Sequence, residues 1–159
     1  MRLYFLRHGP ALSRSEWTVS DDARPLSTRG EAVVRAVASR IAALELGLEA
    51  ILTSPYERAL HTARLVQDAL GGEVPLVEDR GLTPDTFCSD SLEAMLEARR
   101  PAQVIMLVGH EPSMSEVLSD IVGGGEFVLK KAGLARVDLY SIAPARGELR
   151  WLVPPALLK

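Results

Sequence analysis

Cysteine is almost missing from this 159-residue chain: Cys88 stands alone, so no internal disulfide can form, and the usage fits a reducing compartment. Lysine is scarce as well, with three residues (Lys130, Lys131, Lys159) against 15 arginines, an imbalance read as composition rather than function. Charge of neither sign dominates, since 18 basic and 21 acidic side chains leave a net charge of −3. Such a chain lacks the positive field that generic nucleic-acid or anionic-membrane binding requires. Long apolar runs are absent too. The opening run, Leu3 to Leu6, is flanked by Arg2 and Arg7 and is too short for a secretory core. Nothing approaches the ~18 apolar residues of a membrane span. These absences predict a cytoplasmic protein with no nucleic-acid or membrane partner. With 47% hydrophobic and 25% charged residues, the chain is expected to form one globular domain over residues 1–159.

Short apolar runs alternate with amphipathic stretches. Leu3 to Leu6 reads as a first strand ending at Arg7-His8-Gly9. Thr28 and Glu31 have capping-box spacing and open a helix whose Val33, Val34, Val37, Ile41 and Leu44 share a face, with a stop at Gly47. Ala50 to Thr53 is a buried-type strand, followed by Ser54-Pro55-Tyr56-Glu57, a second capping box opening a helix that reaches about Leu70. Val74 to Val77, then a helix from Asp90 to Arg99, then Val104 to Val108 continue the alternation. Ser113 and Glu116 box a further helix that ends at Gly123-Gly124-Gly125. Leu134 to Ile142 and Leu149 to Val153, joined near Arg146-Gly147, read as a closing antiparallel hairpin. The order predicts a three-layer α/β domain: a mostly parallel central sheet flanked by helices, with a C-terminal antiparallel hairpin.

Ligands of open α/β sheets bind beyond the carboxyl ends of the strands. There the chain places Arg7-His8-Gly9, Ser54 with Arg58 on the next helix, and Gly109-His110. Guanidinium forks match phosphate oxygens, and the helix start after Ser54 adds oriented N–H groups. Neighbouring positive charge keeps an imidazole neutral, hence nucleophilic, and an imidazole attacking phosphorus yields a phosphohistidine. Each residue alone also admits an ordinary role: His8 in a turn, His110 in a loop, Arg24 as a solvated charge, His61 on a helix surface. Arg58 as an exposed helix arginine would be replaceable by Ala with the fold largely intact. Cys88 reads as a bystander, and Gly123-Gly124-Gly125 lacks the Lys-Ser/Thr of a nucleotide loop. A metal site on His8, His61 and His110 is the rival use of the histidines, but their spacing is not that of a zinc helix and the arginines would repel a cation.

Four segments, in order, resemble the histidine phosphatase superfamily (phosphoglycerate-mutase-like): Leu6-Arg7-His8-Gly9, the Arg24-Pro25-Leu26-Ser27-Thr28-Arg29-Gly30 stretch, Ser54-Pro55-Tyr56-Glu57-Arg58-Ala59, and Val108-Gly109-His110. The short chain and the ending from Trp151 to Lys159 are similar to its SixA-type phosphohistidine phosphatases. The resemblance implies His8 as phosphoryl-accepting nucleophile, Arg7 and Arg58 as phosphoryl-oxygen contacts, and His110 as the second histidine. It further implies Arg24 as an additional phosphate contact, the Gly9 carbonyl orienting the imidazole, and no cofactor or metal. Many relatives carry a glutamate acid after the third strand, whereas Gly81 stands there in this sequence. Asp21, Asp85 and Glu111 remain open as proton donors.

Loss of that acid favours a leaving group that departs easily. Imidazole, whose conjugate acid has a pKa near ~6.5, is one; an alkoxide is not. Only ~20 residues separate Gly9 from Thr28, which suits an open mouth and a phosphorylated protein side chain. The sequence thus predicts a phosphatase acting on phosphohistidine in a phosphoprotein. The alternatives are a small-molecule phosphomonoesterase of the same superfamily and a non-catalytic phosphoprotein-binding module.

Overall fold

A computed structural model describes residues 1–158. Its centre is a six-stranded mixed sheet in the order β3-β2-β4-β1-β5-β6. β1 (Arg2–Arg7), β2 (Ala50–Thr53), β3 (Leu76–Glu78) and β4 (Val104–Gly109) run parallel. β5 (Leu134–Ile142) lies antiparallel to β1, and β6 (Ala145–Val153) antiparallel to β5. The helices are α1 (Thr28–Ala43), α2 (Glu57–Ala69), α3 (Ser89–Glu97) and α4 (Ser113–Val122).

Side chains alternate across a strand, so each central strand feeds two cores. Leu3, Phe5, Ile105 and Leu107 pack with Leu92, Leu96, Val117 and Ile121 of α3 and α4. Tyr4, Leu6, Met106 and Val108 pack with Val34, Val37, Ile41 of α1 and Ala63, Val66 of α2. A sheet buried on both faces explains why β1 and β4 read as unbroken apolar runs. The three layers are those expected from the sequence.

The element starts differ in instructive ways. Ser27, one residue before Thr28, caps α1 by accepting from Gly30 N, and Glu31 pairs with Arg35 rather than closing a box. Neither Ser54 nor Ser113 caps a helix: α2 starts at Glu57 and α4 follows Pro112 without a side-chain cap. Both hydroxyls are turned to other partners, described below. The closing hairpin turns at residues 143–144, not near Arg146-Gly147, because β6 begins at Ala145 and runs the length of β5.

Candidate active site

Register sets the site. Arg7 of β1 pairs with Gly109 of β4, and Thr53 of β2 with Val108. The residues that follow, His8, Ser54 and His110, therefore leave the sheet side by side at its carboxyl edge. Backbone bonds extend the alignment by one step: His8 N and Ser54 N donate to Gly109 O and Val108 O, both at 3.0 Å. The His8 and His110 rings end with centroids 5.0 Å apart.

Each ring has one nitrogen fixed. His8 Nδ1 lies 2.7 Å from the Gly9 carbonyl, which can only accept, so Nδ1 carries the proton and Nε2 keeps its lone pair. The Gly9 N–H donates to Thr62 Oγ1 at 3.1 Å, and Thr62 in turn donates to Arg58 O at 2.7 Å, tying the turn after His8 to α2. Both backbone groups of Gly9 are thus engaged within the protein. On the other ring, His110 Nε2 lies 2.9 Å from Ser54 Oγ. That oxygen also accepts from Tyr56 N at 3.3 Å, so the Ser54 hydroxyl fixes the orientation of the His110 ring. Nδ1 is buried and has no protein partner. This bond is where the Ser54 hydroxyl is used instead of capping α2; the Ser113 hydroxyl donates to His110 O.

Both imidazoles are held neutral. Burial is the first cause for His8, whose pKa falls well below the ordinary value, with His110, Arg58 and Arg7 adding to it against the Gly9 hydrogen bond. Burial likewise comes first for His110, pushed down to about 3, with Arg58 next.

Arg58 lies against His8, its Nε 3.4 Å from His8 Nε2. It is only 4% exposed, which corrects its reading as an exposed helix arginine: α2 aims its first turn inward, and Arg58 covers the Tyr56 ring at 5.2 Å. Its Nη1 and Nη2 donate to the Asp21 carbonyl and carboxylate at 2.7 and 2.9 Å. Arg24 binds the same carboxylate through Nε at 2.9 Å and the Leu12 carbonyl through Nη1 at 2.6 Å. Arg7 donates from Nη1 to Leu129 O at 2.9 Å, while its buried Nε has no protein partner.

These groups line a cavity of about 700 Å³, whose wall includes Arg7, His8, Arg24, Tyr56, Arg58 and His110. Asp21, Asp85 and Glu111 also reach it. Partial burial alone would raise the Asp21 carboxyl, but the Arg58 charge and the Arg24 hydrogen bond outweigh it and hold the group below the usual carboxylate range. Glu111 is pushed up by burial, against a hydrogen bond from Ser115. Asp85 sits exposed at the mouth. His61 and Gly81 are not part of the wall. Among the described residues, no group of three or more His, Cys, Asp or Glu side chains is disposed to hold a metal ion. Sequence reasoning had no signal for Leu129, 122 positions from Arg7, and none for the Ser54–His110 bond beyond the serine's place at a strand end.

The family model of the histidine phosphatase superfamily (branch 1) matches residues 3–83. The chain belongs to this superfamily. Its relatives within the superfamily include phosphohistidine phosphatase SixA of Escherichia coli strain K12, 27% identical over 165 residues that cover all of this chain and 97% of SixA. An uncharacterized protein of Picosynechococcus sp. strain PCC 7002 is 41% identical over 139 residues, covering 84% of this chain and 82% of that protein. A solved structure of the protein histidine phosphatase SixA complexed with tungstate superposes over 100% of both chains with a TM-score of 0.87 at 25% identity. The alpha-ribazole phosphatase of Shigella flexneri shares the fold, with a TM-score of 0.74 at 20% identity over 98% of this chain and 97% of that one. The superfamily member described here is therefore SixA-like, and these relationships support a phosphatase. None of its helices is long and apolar enough to cross a membrane, among the described residues.

Proposed function

We propose that the protein hydrolyses phosphohistidine carried by a phosphoprotein, without a metal or cofactor, by passing the phosphoryl group through His8. The observation that carries this reading is the state of the His8 ring: proton on Nδ1 against Gly9, unprotonated Nε2 facing Arg58 at 3.4 Å. Nε2 attacks phosphorus and forms an N–P bond as the bond to the substrate imidazole breaks. That imidazole leaves with the electron pair and takes a proton from solvent at the open mouth. Water then attacks the phosphorus on His8, and the His8 N–P bond breaks with its electron pair returning to Nε2. The water's surplus proton passes back to solvent, and inorganic phosphate departs with His8 restored. Charge on the transferring oxygens falls to Arg7 and Arg58, with Arg24 behind them, and His110 completes the cavity wall beside His8.

The choice of substrate class rests on the leaving group and on the mouth. Position 81 is glycine and lies off the cavity wall, and Asp21 is held as an anion between arginines. A leaving imidazole needs less help from an acid than an alkoxide does. The cavity exceeds what one phosphoryl group fills, and its outer wall bears the exposed Arg14, Val19 and Lys131.

A panel of phosphohistidine peptide, aryl phosphate and simple alkyl phosphates tests this. The expected order of kcat/KM is phosphohistidine first, aryl second, alkyl far behind. Alkyl esters turned over as fast as phosphohistidine would favour a small-molecule phosphomonoesterase. Binding without turnover of any of them would favour a phosphoprotein-binding module.

A further inference from the structure

Asp21 stands outside the four sequence motifs, yet it makes more contacts to the arginines of the site than any motif residue described above. Its carboxylate receives Arg58 Nη2 and Arg24 Nε, both at 2.9 Å, and its carbonyl receives Arg58 Nη1 at 2.7 Å. The Arg14 guanidinium lies 3.9 Å from the same carboxylate. Asp21 belongs to a 3-10 turn, Asp21–Ala23, and the residue before it, Ser20, is held by a hydrogen bond from Trp17 Nε1 at 2.9 Å.

A guanidinium is planar with five N–H groups in a fixed fork. Anchoring Nη1 and Nη2 from one side fixes that plane, and the remaining edge, Nε, is then directed at His8 Nε2. One N–H of each Nη stays free for an oxyanion. Arg58 is 4% exposed, and a buried cation needs a standing partner whether or not substrate is present. A carboxylate that merely held the place of a substrate anion would have no use for the second, carbonyl anchor.

We propose that Asp21 is the positioning residue for Arg58, fixing the guanidinium plane so that it meets both His8 Nε2 and the oxygens of the transferring phosphoryl group. This rests on the reading of His8 and Arg58 given above. The competing role, an internal anion that blocks the site, predicts the opposite sign: its removal would tighten anion binding.

The test uses the full chain as wild type, Asp21→Ala and Asp21→Asn, with tungstate as the probe in calorimetry. kcat and KM on an aryl phosphate and the melting temperature are measured alongside. Positioning predicts that Asp21→Ala weakens tungstate binding by about 10-fold or more, the scale of a lost charge-assisted hydrogen bond. It also predicts a lower kcat, with a smaller loss in Asp21→Asn, which keeps one acceptor. Tungstate binding and kcat that are unchanged, or binding that tightens, would overturn it. Should Asp21→Ala fail to fold, Asp21→Asn decides by the same readings. Wild type that neither binds tungstate nor forms a phosphoenzyme would instead remove the reading of His8 and Arg58. Wild type that does both while the folded variants match it removes only the role of Asp21.

Discussion

The imidazoles of His8 and His110 face each other at 5.0 Å between centroids, with their planes tilted by 53°. Nothing local in the chain brings them together; the pairing of Arg7 with Gly109 does. Parallel register between β1 and β4 sets the spacing of the two rings, and burial, followed by the neighbouring charges, keeps both unprotonated.

That state has a pH signature. Because both histidines titrate below the ordinary value, kcat/KM for an aryl phosphate, corrected for the ionisation of the ester itself, is expected to show no imidazole acid limb near pH ~6.5. Stability behaves differently. The unfolded chain takes up protons on these residues from about pH 6.5 downward while the folded chain does not, so their contribution is fully present above ~6.5 and declines as pH falls through that value. The decline continues toward about 3, the value to which His110 is pushed. Glu111, raised by burial, acts in the opposite sense in the lower part of this window. Denaturant midpoints of wild type and His110→Asn at pH 7.5, 6 and 4.5 separate the two. A steeper fall in wild type is expected, and equal slopes would count against a neutral buried His110.

Arg58 couples activity to stability. With 4% exposure and bonds to Asp21, its loss by Arg58→Ala is expected to lower folding stability by about 1–3 kcal/mol, the cost of a broken charge-assisted hydrogen bond. Turnover should fall by about 100-fold or more, on the scale of a lost transition-state donor. Arg58→Lys, which retains charge without the fork, should recover more stability than activity. Thermal melts and steady-state kinetics on the same preparations check this. A variant with normal turnover would remove Arg58 from the site.

Gly30 shows how the helix and the His8 turn fit. A Cβ there would stand 1.8 Å from the Pro10 carbonyl oxygen, so α1 and the segment leaving His8 pack backbone to backbone. At Gly9 the nearest obstacle is a side-chain carbon, Val34 Cγ2, at 2.3 Å. In an open helix position Gly→Ala would stabilise by up to about 1 kcal/mol. Gly30→Ala is expected instead to destabilise by about 1–3 kcal/mol or more, the cost of overpacking. It should cost more than Gly9→Ala, because Val34 can shift and the Pro10 carbonyl cannot without moving the turn. Urea midpoints of the two variants give the order, and a stabilised Gly30→Ala would contradict the packing.

Much of this was legible in the chain. The apolar run Val104 to Val108 and its shorter counterpart Leu3 to Leu6 announce central strands, and the residues at their ends mark the site's edge. What misled were hydroxyls and one charge. Ser54 and Ser113 have the spacing of caps, but capping rules weigh only local partners, and His110 claimed both from 56 and three positions away. Arg58 reads as exposed because arginine usually is, until Asp21, 37 positions earlier, supplies its counter-charge. The Leu129 carbonyl that holds Arg7 lies in a segment with no pattern of its own, reachable only through the β1–β5 pairing beside it.

The most direct measurement is a phosphoryl trap. Wild type and His8→Ala are mixed briefly with 32P-labelled phosphohistidine peptide, quenched in alkali, which spares an N–P bond, and mapped by peptide digestion. The mechanism proposed here predicts label on His8, released by acid, and no label or turnover in His8→Ala. Label on any other residue, or undiminished hydrolysis by His8→Ala, would contradict it.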